Sequence, residues 1–63
     1  MAIVKAKKDL YNGGKCFSKG KHYVTTGPKV VTNASLLDAK TINDLGEEHT
    51  IGSWWRFFRV IKH

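Results

Sequence analysis

Turn-forming residues interrupt this chain so often that no long regular element fits between them. Asn12-Gly13-Gly14, Ser18-Lys19-Gly20, Gly27-Pro28 and Asn43-Asp44-Leu45-Gly46 supply positive or fixed φ at little steric cost. The segments between these breaks are short and β-capable. Residues 2–8, with Ile3 and Val4, read as a first strand, and Lys15-Cys16-Phe17 leads into the second tight turn. His22–Thr26 has the β-branched and aromatic content of a strand, and Gly27-Pro28 stops it. Val30-Val31 is a further short apolar element. Residues 32–39 are too short and too poorly patterned for a confident helix and read as a loop. Residues 39–43 and 47–51 flank the turn at 43–46 as a hairpin. Ser53, after Gly52, is placed to N-cap a single helical or 3₁₀ turn, and Phe58–Lys62 reads as the last strand.

This order predicts an all-β fold, a small SH3-like five-stranded antiparallel barrel with one helical or 3₁₀ turn before the last strand. It forms one domain over residues 1–63. An OB-like barrel is the rival, although 63 residues is short for it and the intervening helix is missing. The expected core comprises Ile3 or Val4, Phe17, Tyr23 or Val24, Val31, Ile42, Ile51, Trp54, Phe58 and Val60.

Four of the seven aromatic residues fall in the run Ser53-Trp54-Trp55-Arg56-Phe57-Phe58-Arg59. In a strand, Trp54 shares a face with Phe58, and Trp55 shares the other face with Arg59. In a helix, residues four apart again share a face, so Trp54 and Phe58 point inward while Trp55 stays beside Arg59. A guanidinium needs a partner when buried, and no acid lies nearby in sequence, which places Trp55 and Arg59 at the surface. The alternative is that both tryptophans are core and the arginines snorkel outward.

The formal net charge of +6 is unevenly spread. Residues 1–29 hold seven lysines against Asp9 alone, while charges balance over residues 30–63. The excess favours an acidic partner, either nucleic acid or an acidic protein surface, by steering and counterion release. It also serves to keep sheet edges soluble and unpaired. The basic half has lysine without arginine, which weakens base-specific readout. No stretch approaches membrane-spanning length, and the N-terminal run breaks into charge after three apolar residues. A soluble, cytoplasmic protein is expected, with Cys16 unable to form an internal disulfide.

Catalytic and metal chemistry find little support. Cys16, His22, His49 and His63 lack the paired short spacing of a zinc site. Asp44, Glu47 and Glu48 lie at a hairpin tip, where solvent keeps carboxylates ordinary acids. Gly13-Gly14 lacks the helix and the Lys-Ser/Thr pair of a phosphate loop. No cofactor and no enzymatic activity are expected.

Two segments, Cys16-Phe17-Ser18-Lys19-Gly20-Lys21-His22-Tyr23 and Asn43-Asp44-Leu45-Gly46-Glu47-Glu48-His49-Thr50-Ile51, resemble a loose class of small proteins encoded by tailed bacteriophages, several of them SH3-like barrels. The resemblance covers about half the chain, and its motifs mark turns and core anchors, so it implies fold better than function. Functionally it implies a protein made early in infection that binds, blocks or redirects a host protein in the host cytoplasm. On that reading the partner-binding residues are Trp55, Arg59, Arg56, Lys5, Lys7 and Lys8, a Trp/Arg patch with hot-spot composition beside lysines. The partner is then an acidic or nucleic-acid-processing factor of transcription, replication or defence. The alternative is direct nucleic-acid binding, with Lys7, Lys8, Lys15, Lys19 and Lys21 tracking phosphates and Trp55, Tyr11 or Tyr23 stacking on bases. A homodimer that buries the aromatic run is a third arrangement.

Overall fold

The computed structural model of the chain describes residues 2–27 and 29–62. Pro28, assigned above as a strand stop, and His63, weighed as a metal ligand, lie outside them. The order is β1 (Ala2–Ala6), β2 (Leu10–Tyr11), β3 (Lys15–Phe17), β4 (His22–Thr26), 3₁₀ helix η1 (Asn33–Asp38), β5 (Lys40–Ile42), β6 (Glu48–Thr50), 3₁₀ helix η2 (Gly52–Phe57) and β7 (Phe58–Lys62). The expected hairpin and the helical turn before the last strand are present.

The described strands form an antiparallel five-stranded sheet in the order β6-β5-β4-β1-β7 and a separate β2-β3 ribbon. The expected closed five-stranded barrel is therefore corrected to an open sheet with β6 and β7 at its edges. A side chain occupies the edge of β7. The Asn33 amide donates from Nδ2 to the Phe58 carbonyl at 2.6 Å, and the Val60 amide donates to Asn33 Oδ1 at 3.4 Å. Asn33 thus takes hydrogen-bonding groups that a further strand would otherwise pair with, one of the ways sheets blunt an edge. Between Ile3 and Val4 the β1–β7 register slips from Lys62 to Val60, so β7 bulges at Ile61.

Phe17 is the centre of the core. Its ring meets Tyr23 and Phe58 edge-on, both at 4.9 Å, His49 at 5.4 Å and Trp54 at 5.9 Å. Such T-shaped contacts align ring edges with the negative faces of their neighbours. Val4, Ile51 and Phe58 are buried as expected, with Tyr23 rather than Val24 turned inward. Trp54 and Val60 are half-buried against the core.

Three expectations are corrected here. Residues 32–39 are not a loop: they contain η1, whose start is closed by the Thr32 amide donating to Ser35 Oγ at 3.4 Å and whose Leu36 is fully buried. One buried leucine anchors an element too short to show an apolar period. Val31 is 57% exposed and Val30 takes the interior position. Ile42 is 56% exposed because the inward residue of three-residue β5 is Thr41, whose hydroxyl donates to the Val24 carbonyl at 2.8 Å. A satisfied hydroxyl fills that inward position without leaving a polar group unpaired. In addition, the η2 N-cap is Ile51 and not Ser53, with no side-chain cap, and Gly52 enters the helix at φ +55°.

Candidate functional site

Strand alternation and one tight turn gather cations on one side of β1. Ala2, Val4 and Ala6 face inward, which sends Lys5 outward. In β7, buried Phe58 sends Arg59 outward, and the register sets Arg59 directly across from Lys5. The turn after β3 folds back onto the end of β1, where the Gly20 amide donates to the Ala6 carbonyl at 2.8 Å and the Ala6 amide donates to the Lys21 carbonyl at 3.1 Å. Gly20 reaches this position at φ +81°, a conformation that side chains disfavour. The result is a depression of about 400 Å³ lined by Lys5, Ala6, Lys7, Lys19, Gly20 and Arg59.

Among the described residues, no carboxylate lines this depression. The three ion pairs among the described residues are Lys15–Asp9, Lys21–Asp44 and Lys40–Glu48, all outside it. Asp9, the nearest acid in sequence, is committed elsewhere. Its Oδ1 accepts from the Lys19 backbone amide at 2.8 Å and lies 3.7 Å from Lys15 Nζ. The main chain of Lys19 is held by this contact. Four cationic residues around one depression, with Asp9 behind the Lys19 main chain and paired to Lys15, raise the local positive potential and favour an anionic ligand or surface.

The cationic surface continues onto η2. The Lys7 amide donates to the Phe57 carbonyl at 2.7 Å, and Lys8 Nζ sits 4.1 Å from the Phe57 ring centre. Next along the helix, the Arg56 guanidinium lies 5.2 Å from the Trp55 ring centre. Both are cation–π arrangements that hold a charged group over a half-exposed ring.

The expected partner-binding residues are thus brought together in two groups, Lys5, Lys7 and Arg59 in the depression, and Lys8, Arg56 and Trp55 along η2. The cation against Trp55 is Arg56, whereas Arg59 lines the depression. The side-by-side placement of Trp55 and Arg59 assumed one periodicity through the run, but the chain changes from 3₁₀ helix to strand at Phe58. Trp55 itself is half-buried and packs against the core. Phe57, the ring under Lys8, was not singled out from the sequence because lysine–aromatic contacts across elements leave no local spacing.

The residues of the nucleic-acid alternative are scattered. Lys7 and Lys19 line the depression and Lys8 lies beside it, but Lys15 faces Asp9 and Lys21 is bound to Asp44 at 2.7 Å. Tyr11 is 63% exposed on the two-stranded ribbon, across from Lys15, and Tyr23 is buried.

Asp44 is not the ordinary solvated acid expected at a hairpin tip. Its side chain is only 16% exposed and accepts from Ser18 Oγ at 2.6 Å, Lys21 Nζ at 2.7 Å and the Tyr23 hydroxyl at 2.9 Å. The hydrogen bond from Lys21, then that from Ser18, lowers its carboxyl pKa to about 2. Reciprocally the Asp44 hydrogen bond raises the Lys21 pKa, while burial raises that of Tyr23. These contacts tie the β5–β6 turn to the β3–β4 turn, so Asp44 is structural. Cys16 is buried, with Sγ 3.5 Å from the Asn12 carbonyl oxygen, and among the described residues no three His, Cys, Asp or Glu side chains gather as metal ligands. No helix among them is long and apolar enough to cross a membrane.

Comparison with protein-family models, curated proteins and solved structures finds no match to this chain.

Proposed function

We propose that this is a small, non-enzymatic binding protein of the tailed-phage type that docks on an acidic host protein in the host cytoplasm and inhibits or redirects it. The observation that carries the reading is the gathering of Lys5, Lys7, Lys19 and Arg59 around one depression that no carboxylate of the described residues lines. Beside it, Trp55 under Arg56 and Phe57 under Lys8 add the aromatic and cationic composition of interface hot spots. The order β6-β5-β4-β1-β7, with a 3₁₀ turn before the last strand, supports an SH3-like reading of the fold. Host factors of transcription, replication or defence that present acidic segments suit such a surface.

A protein partner is favoured over direct nucleic-acid binding because Lys15 and Lys21 are engaged by carboxylates and Tyr11 lies apart from the depression. A phosphate-tracking groove needs its cations free and in line. The test is affinity capture from bacterial lysate with and without nuclease, using the natural chain and the Lys5→Glu/Arg59→Glu variant. The expected result is a host protein retained after nuclease treatment and lost with the variant. Capture that nuclease abolishes would transfer the reading to nucleic acid.

A further inference from the structure

The outward face of the five-stranded sheet carries a second pattern beside the cationic depression. Alternation sends Ile3 and Lys5 of β1 and His22 and Val24 of β4 to this face, and the register sets Ile3 opposite Val24 and Lys5 opposite His22. Extending the Thr25–Thr41 pairing by one residue sets Val24 opposite Ile42, and both line a shallow groove of about 410 Å³ between β4 and β5. Ile3, Val24 and Ile42 therefore form an apolar row across three adjacent strands. Val24 is 51% exposed, and Ile42 is similarly open. Arg59 and Lys5 form a parallel cationic row one side-chain pair away, continued by the His22 ring. The 3₁₀ helices η1 and η2 pack on each other and on β7, and the β4–β5 part of this face is open at Val24 and Ile42.

We propose that this face docks an amphipathic helix of the acidic protein partner, its apolar stripe on Ile3, Val24 and Ile42 and its carboxylates toward Lys5 and Arg59. The inference deepens the acidic-partner reading and rests on it. Adjacent strands lie about 4.8 Å apart and a helix advances about 5.4 Å per turn, so a helix laid across the strands presents one apolar residue per turn to each successive strand. Residues two apart in a strand are separated by about 7 Å, which places the cationic row under one flank of that helix. Exposed apolar residues scattered singly need no explanation, whereas a row aligned by register, flanked by Lys5 and Arg59 and closed by Glu48 opposite Ile42 at its β6 end, is a recognition pattern. A second copy of this chain would bring a cationic row against a cationic row, so charge selects an acidic occupant.

A synthetic helical peptide with Leu at i, i+3, i+4 and i+7 and Glu along one flank, and its scrambled isomer, are titrated into the isotopically labelled full chain by NMR. The patterned peptide is expected to shift the amides of Ile3, Lys5, Val24 and Ile42. It is expected to bind about tenfold more tightly than the scrambled isomer and to lose about that factor in Val24→Thr/Ile42→Thr or in Lys5→Glu/Arg59→Glu. Threonine keeps the β-branched shape at these exposed positions, so the first variant retains the fold. Equal binding of the two peptides, or shifts confined to other faces, overturns the proposal. So does a dimer in sedimentation that Val24→Thr/Ile42→Thr dissolves, which would assign the row to a second copy. Lysate capture separates the two readings. Loss with Lys5→Glu/Arg59→Glu but not with Val24→Thr/Ile42→Thr sinks the helix site alone, and indifference to both sinks the acidic-partner reading itself.

Discussion

Asp44, Phe17 and Trp55 each show how one residue's surroundings decide its role. Asp44 accepts from three side chains on the facing turn, and its folded carboxyl titrates at about 2 against an ordinary 3.8. Because the folded value is depressed, its stabilising contribution is complete above the unfolded pKa and is lost as pH falls from there through about 2. Acid titration followed by circular dichroism is therefore expected to show a loss of stability in that window that Asp44→Asn flattens. An unchanged acid profile in the variant would contradict the tie between the two turns. Phe17, in contact with four rings, is expected to cost about 3–5 kcal/mol when truncated to alanine. A domain of this size has only about 3–9 kcal/mol to lose, so Phe17→Ala is expected to remove most of its denaturant resistance. Trp55→Ala is expected to weaken partner binding at least tenfold, read by titration calorimetry. Phe17 was legible as core from its apolar type and its place between two turns. Asp44 was not, because its partners Ser18, Lys21 and Tyr23 are brought to it by folding across more than twenty positions of sequence.

At the scale of elements, glycine and asparagine marked the boundaries well, and the β5–β6 hairpin and β7 lie where turn chemistry put them. Elements held by a single tertiary anchor were harder to see. η1 depends on Leu36 in the core and on Asn33 against β7, neither of which leaves a period in six residues. The inward choice of Thr41 over Ile42 likewise depends on the register of β5, where a hydroxyl paired to Val24 is tolerated inside. Asn33 also protects the β7 edge of the open sheet. Asn33→Ala leaves the Phe58 carbonyl and the Val60 amide without that partner and is expected to cost about 1–3 kcal/mol by chemical denaturation. It is also expected to promote self-association in size-exclusion chromatography, since the freed edge is a template for pairing. A variant as stable and as monomeric as the natural chain would remove Asn33 from this role.

Across the whole molecule, charge and architecture cooperate. The excess of lysine in the first half was evident from composition. Which of those lysines act together was not, because the depression is assembled from β1, β7 and the turn after β3, while Lys15 and Lys21 are diverted to carboxylates. The aromatic run was legible as a mixture of core and surface, and the change from η2 to β7 within it separated Trp55 from Arg59. Association through such a surface is expected to weaken as salt rises, since interactions between exposed charges beyond about 10 Å are largely screened at about 0.1 M ionic strength and that distance shrinks with added salt. The most direct test of the cationic depression is calorimetric titration of the captured, purified host protein against the natural chain and against Lys5→Glu/Arg59→Glu at several salt concentrations. The expected result is at least tenfold weaker binding by the variant, with little remaining salt dependence and an unchanged thermal midpoint. Equal affinity and equal salt dependence for the two chains would contradict it.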